Sequence, residues 1–410
     1  GGIAPGTGGG PGHAPPPTTP GARTISFAAC RNTPAEPSLP LRRLSAQQYR
    51  NSIRDILALA LRDAALAKAA EAEVAPTLSG LPEDERPTLD GQDHGTYRRL
   101  HQDVPRTVVD ASYDVGVKVG EALTKPGRFE RLISCRNESP ASCLDAFLAS
   151  FGARVLRAPL DDAQRELYRR VYGKTDVVSA QGYARVVALL VAAPQFMYFV
   201  EHGASAVPDR PRTYALGAHE LASRLSYHFW DTLPDDELWA AASSGALLEP
   251  NEYAKQVSRL AGDKRATAVV DRFYDGWLRL EDMRPLDQLN TDKAYRTFAG
   301  DALPTRELRS AVIADTLAFT RHHTFGSQGT FDDLLKSDLA FPGTTELAKL
   351  YGLPVWDGQA PPPAFPPGTR PGLLTRAALL ADGRTRTRPI VRGSFVRREL
   401  LCDPLSPPPA

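Results

Sequence analysis

Between Gly182 and Phe199 the chain is apolar on nearly every side of a helical wheel, and no other stretch restricts the fold as much. Such a run predicts a central buried helix, broken at Pro194, with other helices packed around it. Its surroundings carry helix signals too. Ser45 and Gln48 form a capping box, Leu44 and Tyr49 stand where a hydrophobic staple would, and Tyr49, Ile53, Ile56, Leu57 and Ala60 share one face. From Pro105 the same periodicity runs through Val108, Ser112, Val115, Val119 and Leu123. Pro140 after Ser139 opens a helix bearing Leu144, Phe147, Leu148, Phe151 and Val155, and Asp161 with Gln164 caps one bearing Leu167, Val171 and Tyr172. A second block of four helices begins near Tyr214, with joints at Asp231–Pro234 and Gly245, and a long helix follows from Thr305 to about His323.

Between these blocks the polar stretch Ala75 to Gly95 reads as a surface excursion, and after Pro354 helical periodicity gives way to Pro-rich chain with one short helix, Ile390 to Leu401. No βαβ alternation or repeat of 20–50 residues is visible. The expected fold class is therefore mainly α: two helical-bundle blocks, long irregular Pro-rich connections and a mostly non-helical C-terminal segment.

With 49 Lys+Arg against 48 Asp+Glu, bulk charge pulls the chain toward neither nucleic acid nor anionic membrane. No run approaches the ~18–20 apolar residues of a membrane span. The first twenty residues hold seven Gly and six Pro and read as a tether. A chain that opens this way without Met fits a precursor whose signal peptide has been removed, with a lipid anchor upstream of Gly1 as an extension of that reading; the competing one is a cloning remnant. Four cysteines are an even count. In an exported protein Cys135 and Cys143, eight apart across Pro140, are the favoured local bridge, leaving Cys30 and Cys402 to join the ends of the folded body; spacing leaves the other two pairings, and four free thiols, open.

The stretch LRRLSAQQYRNSIRDIL, Leu41 to Leu57, resembles the opening module of large exported proteins of planctomycetes and myxobacteria, built as chains of domains of unknown function and often accompanied by c-type cytochrome domains. FGARVLRAPLDDAQ with GYARVVALLVAAPQFMY is similar to their second module, and LASRLSYHFWDTLPDDELWAAASSGAL with DRFYDGWLRL to the third. LLTRAALLADGRTRTRPIVRGSFVRRELLCDPLSPPP resembles the fourth. The resemblance spans residues 40–410 and implies an exported, mainly helical, multi-module protein, without supplying a reaction or a catalytic set. Its implied divisions are a Gly/Pro-rich tether at 1–39, a first helical module at 40–135, a second at 136–205 packed on the first, a third at 212–340 and a C-terminal Pro/Arg-rich module at 341–410. The chain departs from the family in lacking a haem-binding CxxCH and in stopping after the fourth module, which suggests a truncated or processed polypeptide.

Chemistry-bearing motifs are sparse. There is no GxSxG elbow, P-loop or strand-following GxGxxG. His219-Glu220 opens like a zincin helix, but Ser223 stands where a second His would be needed. His322 and His323 are neighbours about 100° apart on a helix and chelate one metal poorly. Asp90, Asp93 and His94 read as a solvated loop ahead of a calcium site, and Trp230, Trp239 and Trp277 as core ahead of a sugar platform. No metal or cofactor is expected.

The densest polar cluster, Arg384, Arg386, Arg388 and Arg392 followed by Arg397 and Arg398, is the candidate anion- or partner-binding site, since guanidinium forks suit carboxylate, sulfate or phosphate. Set against this is a structural role, in which the arginines pair with carboxylates such as Asp235, Asp236 and Asp382 and pin the C-terminal segment. The leading functional expectation is a non-catalytic exported cell-surface subunit docking other envelope or outer-membrane proteins, cytochromes among them, in the periplasm, on the outer membrane surface or outside the cell, with no nucleic-acid partner. The alternative is a hydrolase or lyase acting on an anionic polysaccharide through carboxylates in acid/base roles.

Overall fold

Ser45 starts the first helix as its sequence dictates: its hydroxyl accepts from Gln48 N, and the Gln48 side-chain carbonyl accepts from Ser45 N, both at 3.0 Å. The computed structural model describes residues 41–85, 100, 105–135, 138–326, 329–381 and 389–401. Helices of eight residues or more are α1 (Ala46–Leu61), α2 (Ala64–Ser79), α3 (Arg106–Leu123), α4 (Pro140–Phe147), α5 (Asp162–Tyr172), α6 (Ala180–Ala192), α7 (Ala218–Trp230), α8 (Asp236–Ser243), α9 (Pro250–Ala261), α10 (Lys264–Leu278) and α11 (Leu308–Arg321). The fold is mainly α. The sheet among the described residues consists of two short antiparallel ladders, β1 (Arg42–Arg43) with β2 (Tyr198–Phe199), and β3 (Ser205–Ala206) with β4 (Tyr214–Ala215).

The apolar run forms α6, whose Tyr183, Val186, Val187, Leu190 and Val191 are fully buried, and Pro194 starts a separate turn, Pro194–Met197. α3 packs against α6 through Gly116 and Gly120, where an added Cβ would collide with the carbonyl oxygens of Ala188 and Ala184. Two glycines one turn apart thus remove the side chains that would hold the backbones apart. The Tyr183 ring takes Phe147 and Tyr172 edge-on, at 5.0 and 5.1 Å.

Two local expectations change. The surface excursion does not begin at Ala75, because α2 continues to Ser79 through Pro76, held by the burial of Val74 and Leu78 one turn apart. On α5 it is Tyr168, with Tyr172, that faces the interior, while Leu167 is exposed.

Among the described residues three apolar clusters follow the chain. The first runs from Leu44 through α1–α6 to Leu233. A second joins α7, α8 and α9 around Trp230, Leu238, Leu247 and Leu260. The third joins the end of α10, α11 and the segments up to Ala378, with Trp277 and Phe395 packed on it.

Candidate functional site: a basic groove at the C-terminal helix

α10 ends at Leu278 because Arg279 turns left-handed, φ 57°, its N–H returning to the Asp275 and Gly276 carbonyls. The chain then runs through the short helix Leu280–Asp282 to Met283 and Arg284. Arg309 of α11 fixes this corner, donating to the carbonyls of Met283 at 2.6 Å and Glu281 at 2.9 Å. Opposite lie the short helices Ala377–Leu380 and Pro389–Phe395. The C-terminal one continues into the turn Val396–Leu400, where Trp277 Nε1 donates to the Glu399 carbonyl at 2.8 Å.

These walls enclose a groove of about 220 Å³ with an apolar floor that includes Leu278, Met283, Leu379 and Phe395. Among the described residues three guanidinium groups, Arg279, Arg284 and Arg392, stand around it with one carboxylate, Asp282. Arg279 Nε donates to Asp282 at 2.9 Å. Arg284 and Arg392 have no carboxylate partner among the described residues. The groove therefore carries an excess of positive charge beside an apolar surface, an arrangement that can hold a carboxylate- or phosphate-bearing group.

Arg392 is the one member of the candidate set found here; Arg384, Arg386 and Arg388 lie outside the described residues, as do Asp382, Asp90, Asp93, His94, Cys30 and Cys402. Cys135 and Cys143 are bonded, their Cα atoms 5.4 Å apart. The carboxylates thought to receive the C-terminal arginines have other partners: Asp235 takes Arg259 at 2.7 Å and caps α8 at Leu238 N, and Asp236 takes Arg154 at 2.6 Å. Trp230 is buried, with its Nε1 donating to the Leu260 carbonyl, whereas Trp239 and Trp277 are half-buried against core clusters.

The histidine motifs resolve into packing. Glu220 accepts backbone N–H groups from His202, Gly203 and Gly217, which occupies both its oxygens, and His219 sits edge-on to Trp239 with Nε2 3.3 Å from Ser243 Oγ. His323 is buried against Phe319, and that burial holds its imidazole below the ordinary value. No group of three or more His, Cys, Asp or Glu side chains among the described residues is placed to hold a metal ion.

Other cavities are built differently. One of about 190 Å³ is walled by Arg157, Glu201, Glu220 and Gln195. Its polar walls are committed to the protein: Arg157 donates to the carbonyls of Gln195, Phe196 and Tyr198, and Glu201 pairs with Arg224. A wider groove of about 830 Å³ lies along α3 and α6.

Sequence reasoning missed a buried polar cluster under the C-terminal segment. Asp315 accepts Phe341 N at 2.7 Å and the Tyr351 hydroxyl at 2.9 Å, and Arg376 Nη1 lies 3.9 Å from the same carboxylate with its guanidinium 4.1 Å over Phe319. Both charged side chains are fully buried. Desolvation raises the Asp315 carboxyl and lowers the Arg376 guanidinium. The available signal was a single charge inside each of two apolar runs, AVIADTLAF and LLTRAALLA.

Residues 216–353 match a family model. It is described as PSD4, Protein of unknown function (DUF1592). The match spans about a third of the chain, from the start of α7 to the loop after Tyr351. No curated protein and no solved structure matches the chain. Arg279, Met283 and Arg284 belong to the matched domain, whereas Leu379, Val391, Arg392 and Phe395 lie beyond it. The groove is thus shared between the domain and the segment that follows.

Proposed function

We propose that this chain is a non-catalytic subunit of the cell envelope that docks other exported proteins, with cytochromes among its partners. The observation that carries this reading is the groove between the matched domain and the C-terminal helix, where two guanidinium groups without carboxylate partners among the described residues flank an apolar floor. Apolar floors with charged rims are built for recognition: the floor contributes affinity and the rim steers and orients the partner. The Cys135–Cys143 bond supports an oxidising compartment, the periplasm, outer membrane surface or exterior. No described helix is long and apolar enough to cross a membrane; a lipid anchor upstream of Gly1 is part of this reading.

The competing polysaccharide-cleaving reading needs two carboxylates in acid/base roles. The groove presents Asp282, already engaged by Arg279, and so favours binding over cleavage. Affinity capture from envelope extracts with the full chain as bait tests the docking role. Recovery of the same stoichiometric partners by the parent chain in replicate captures supports it; a monomeric chain that retains none overturns it.

A further inference from the structure

We propose that the groove receives an acidic, amphipathic segment of the partner protein, which seats one aliphatic side chain on the floor while its flanking carboxylates pair with Arg284 and Arg392. This rests on the docking reading and names the chemistry of the partner. Three features lead to it. The first is charge: three guanidinium groups surround one carboxylate, that carboxylate is held by Arg279, and the other two arginines have no acidic partner among the described residues. A complementary ligand must bring negative charge. The second is volume, because a dry cavity of about 150 Å³ admits benzene, so about 220 Å³ accommodates a leucine-sized group. The third is the rim, where Leu380 and Val391 are 39 and 42% exposed. An inorganic anion would satisfy the arginines and leave this apolar surface in water. An acidic segment with an apolar residue satisfies both.

Bidentate guanidinium–carboxylate pairing gives such a segment orientation as well as attraction. The corner that carries Arg284 is fixed by the two Arg309 hydrogen bonds and the helix that carries Arg392 by Trp277, so both cations are presented on anchored backbone.

Fluorescence anisotropy on the full chain tests this with labelled peptides: four glutamates around one leucine, five glutamates, and four lysines around one leucine. The first should bind, weaken at least tenfold in the Arg284→Glu/Arg392→Glu variant, weaken with added salt, and recover in Arg284→Lys/Arg392→Lys. Loss of the leucine should also weaken binding. Equal binding of the lysine peptide, or unchanged binding by the charge-reversed chain, overturns the proposal. So does retention of the chain by phosphatidylglycerol vesicles without peptide binding, which would make the surface a membrane contact. Circular dichroism confirms that each variant is folded. If envelope capture yields a partner whose retention ignores the charge reversal, the acidic-segment proposal falls and docking stands; if capture yields none, the docking reading itself falls.

Discussion

Gln48 donates its side-chain amide to the Asp231 carboxylate at 2.8 Å across 183 positions of sequence. The same glutamine closes the capping box of α1, so one side chain starts a helix locally and joins it to a distant corner. Asp231 occupies the left-handed C-cap of α7, φ 53°, and also takes Arg272, while its carbonyl accepts Asn51 Nδ2 at 3.2 Å. Thr232 adds a bond to Asp55 at 2.7 Å. Helix α1 is thereby fastened to the matched domain at the C-terminal end of α7.

Asp231→Ala should therefore destabilise the protein by about 2 kcal/mol, because it strands Arg272 and Gln48 in a half-buried site. Urea unfolding measures this. A double-mutant cycle with Gln48→Ala should give a coupling of about 1 kcal/mol; strictly additive losses would mean that the contact contributes nothing.

The α3–α6 contact makes a sharper contrast. Gly120→Ala drives a methyl group into the Ala184 carbonyl and should cost about 2–3 kcal/mol despite the better helix propensity of alanine. Gly152→Ala meets Leu148 and Leu160 side chains at 3.4 and 3.6 Å in a helical backbone and should be neutral or stabilising by about 0.5 kcal/mol. Similar melting temperatures for the two variants would refute the close-packing account.

Glu73 ties α2 to the loop after α3. Its hydrogen bonds from Arg128, then those from Lys125, hold its carboxyl down to about 2. Since the folded value lies below the unfolded one, this stabilisation is complete above about pH 4.5 and disappears as pH falls toward 2. Solvent screens a carboxylate one-third exposed, so the amount is about 1 kcal/mol. Glu73→Gln should lose that stability at pH 7 and show a flatter decline between pH 4.5 and 2 than the parent.

Non-reducing mass mapping should recover Cys135 joined to Cys143. Replacing both with serine should cost about 2–3 kcal/mol by the chain-entropy estimate for so short a loop. Free thiols at both positions in protein purified without reductant would contradict the pairing.

The C-terminal helix offers a test between ion pairing and packing. Arg392 lines the groove without a carboxylate partner among the described residues, while Trp277 bonds Glu399 and Phe395 packs on the third cluster. Limited proteolysis should show Arg392→Ala as resistant as the parent and Trp277→Phe cut about five-fold faster around 389–401, the equivalent of one hydrogen bond of about 1 kcal/mol. The reverse order would restore arginine pairing as the fastening.

What the sequence determined by itself was local. Ser45 with Gln48, Asp161 with Gln164 and Ser139 before Pro140 begin helices through contacts spanning three or four residues, and these appear as read. The burial of most of α6 followed from its nearly continuous apolar sequence, interrupted by Gln181 and Arg185, which are exposed. Pro76 shows the limit of such reading, since only the burial of Val74 and Leu78 decides that the helix continues past it. The candidate groove was half legible: the arginine-rich end marked Arg392, but nothing near Arg284 or Leu278 announced that they would face it. Likewise Asp235 and Asp236 were free to pair with any arginine until folding brought Arg259 and Arg154 to them. Arg376 settled over Phe319 beside Asp315 for the same reason. Periodicity and capping are fixed by bonds between near neighbours, whereas the partner of a charge is whichever group the packed helices carry within a few ångströms, and that is decided only when the whole chain closes.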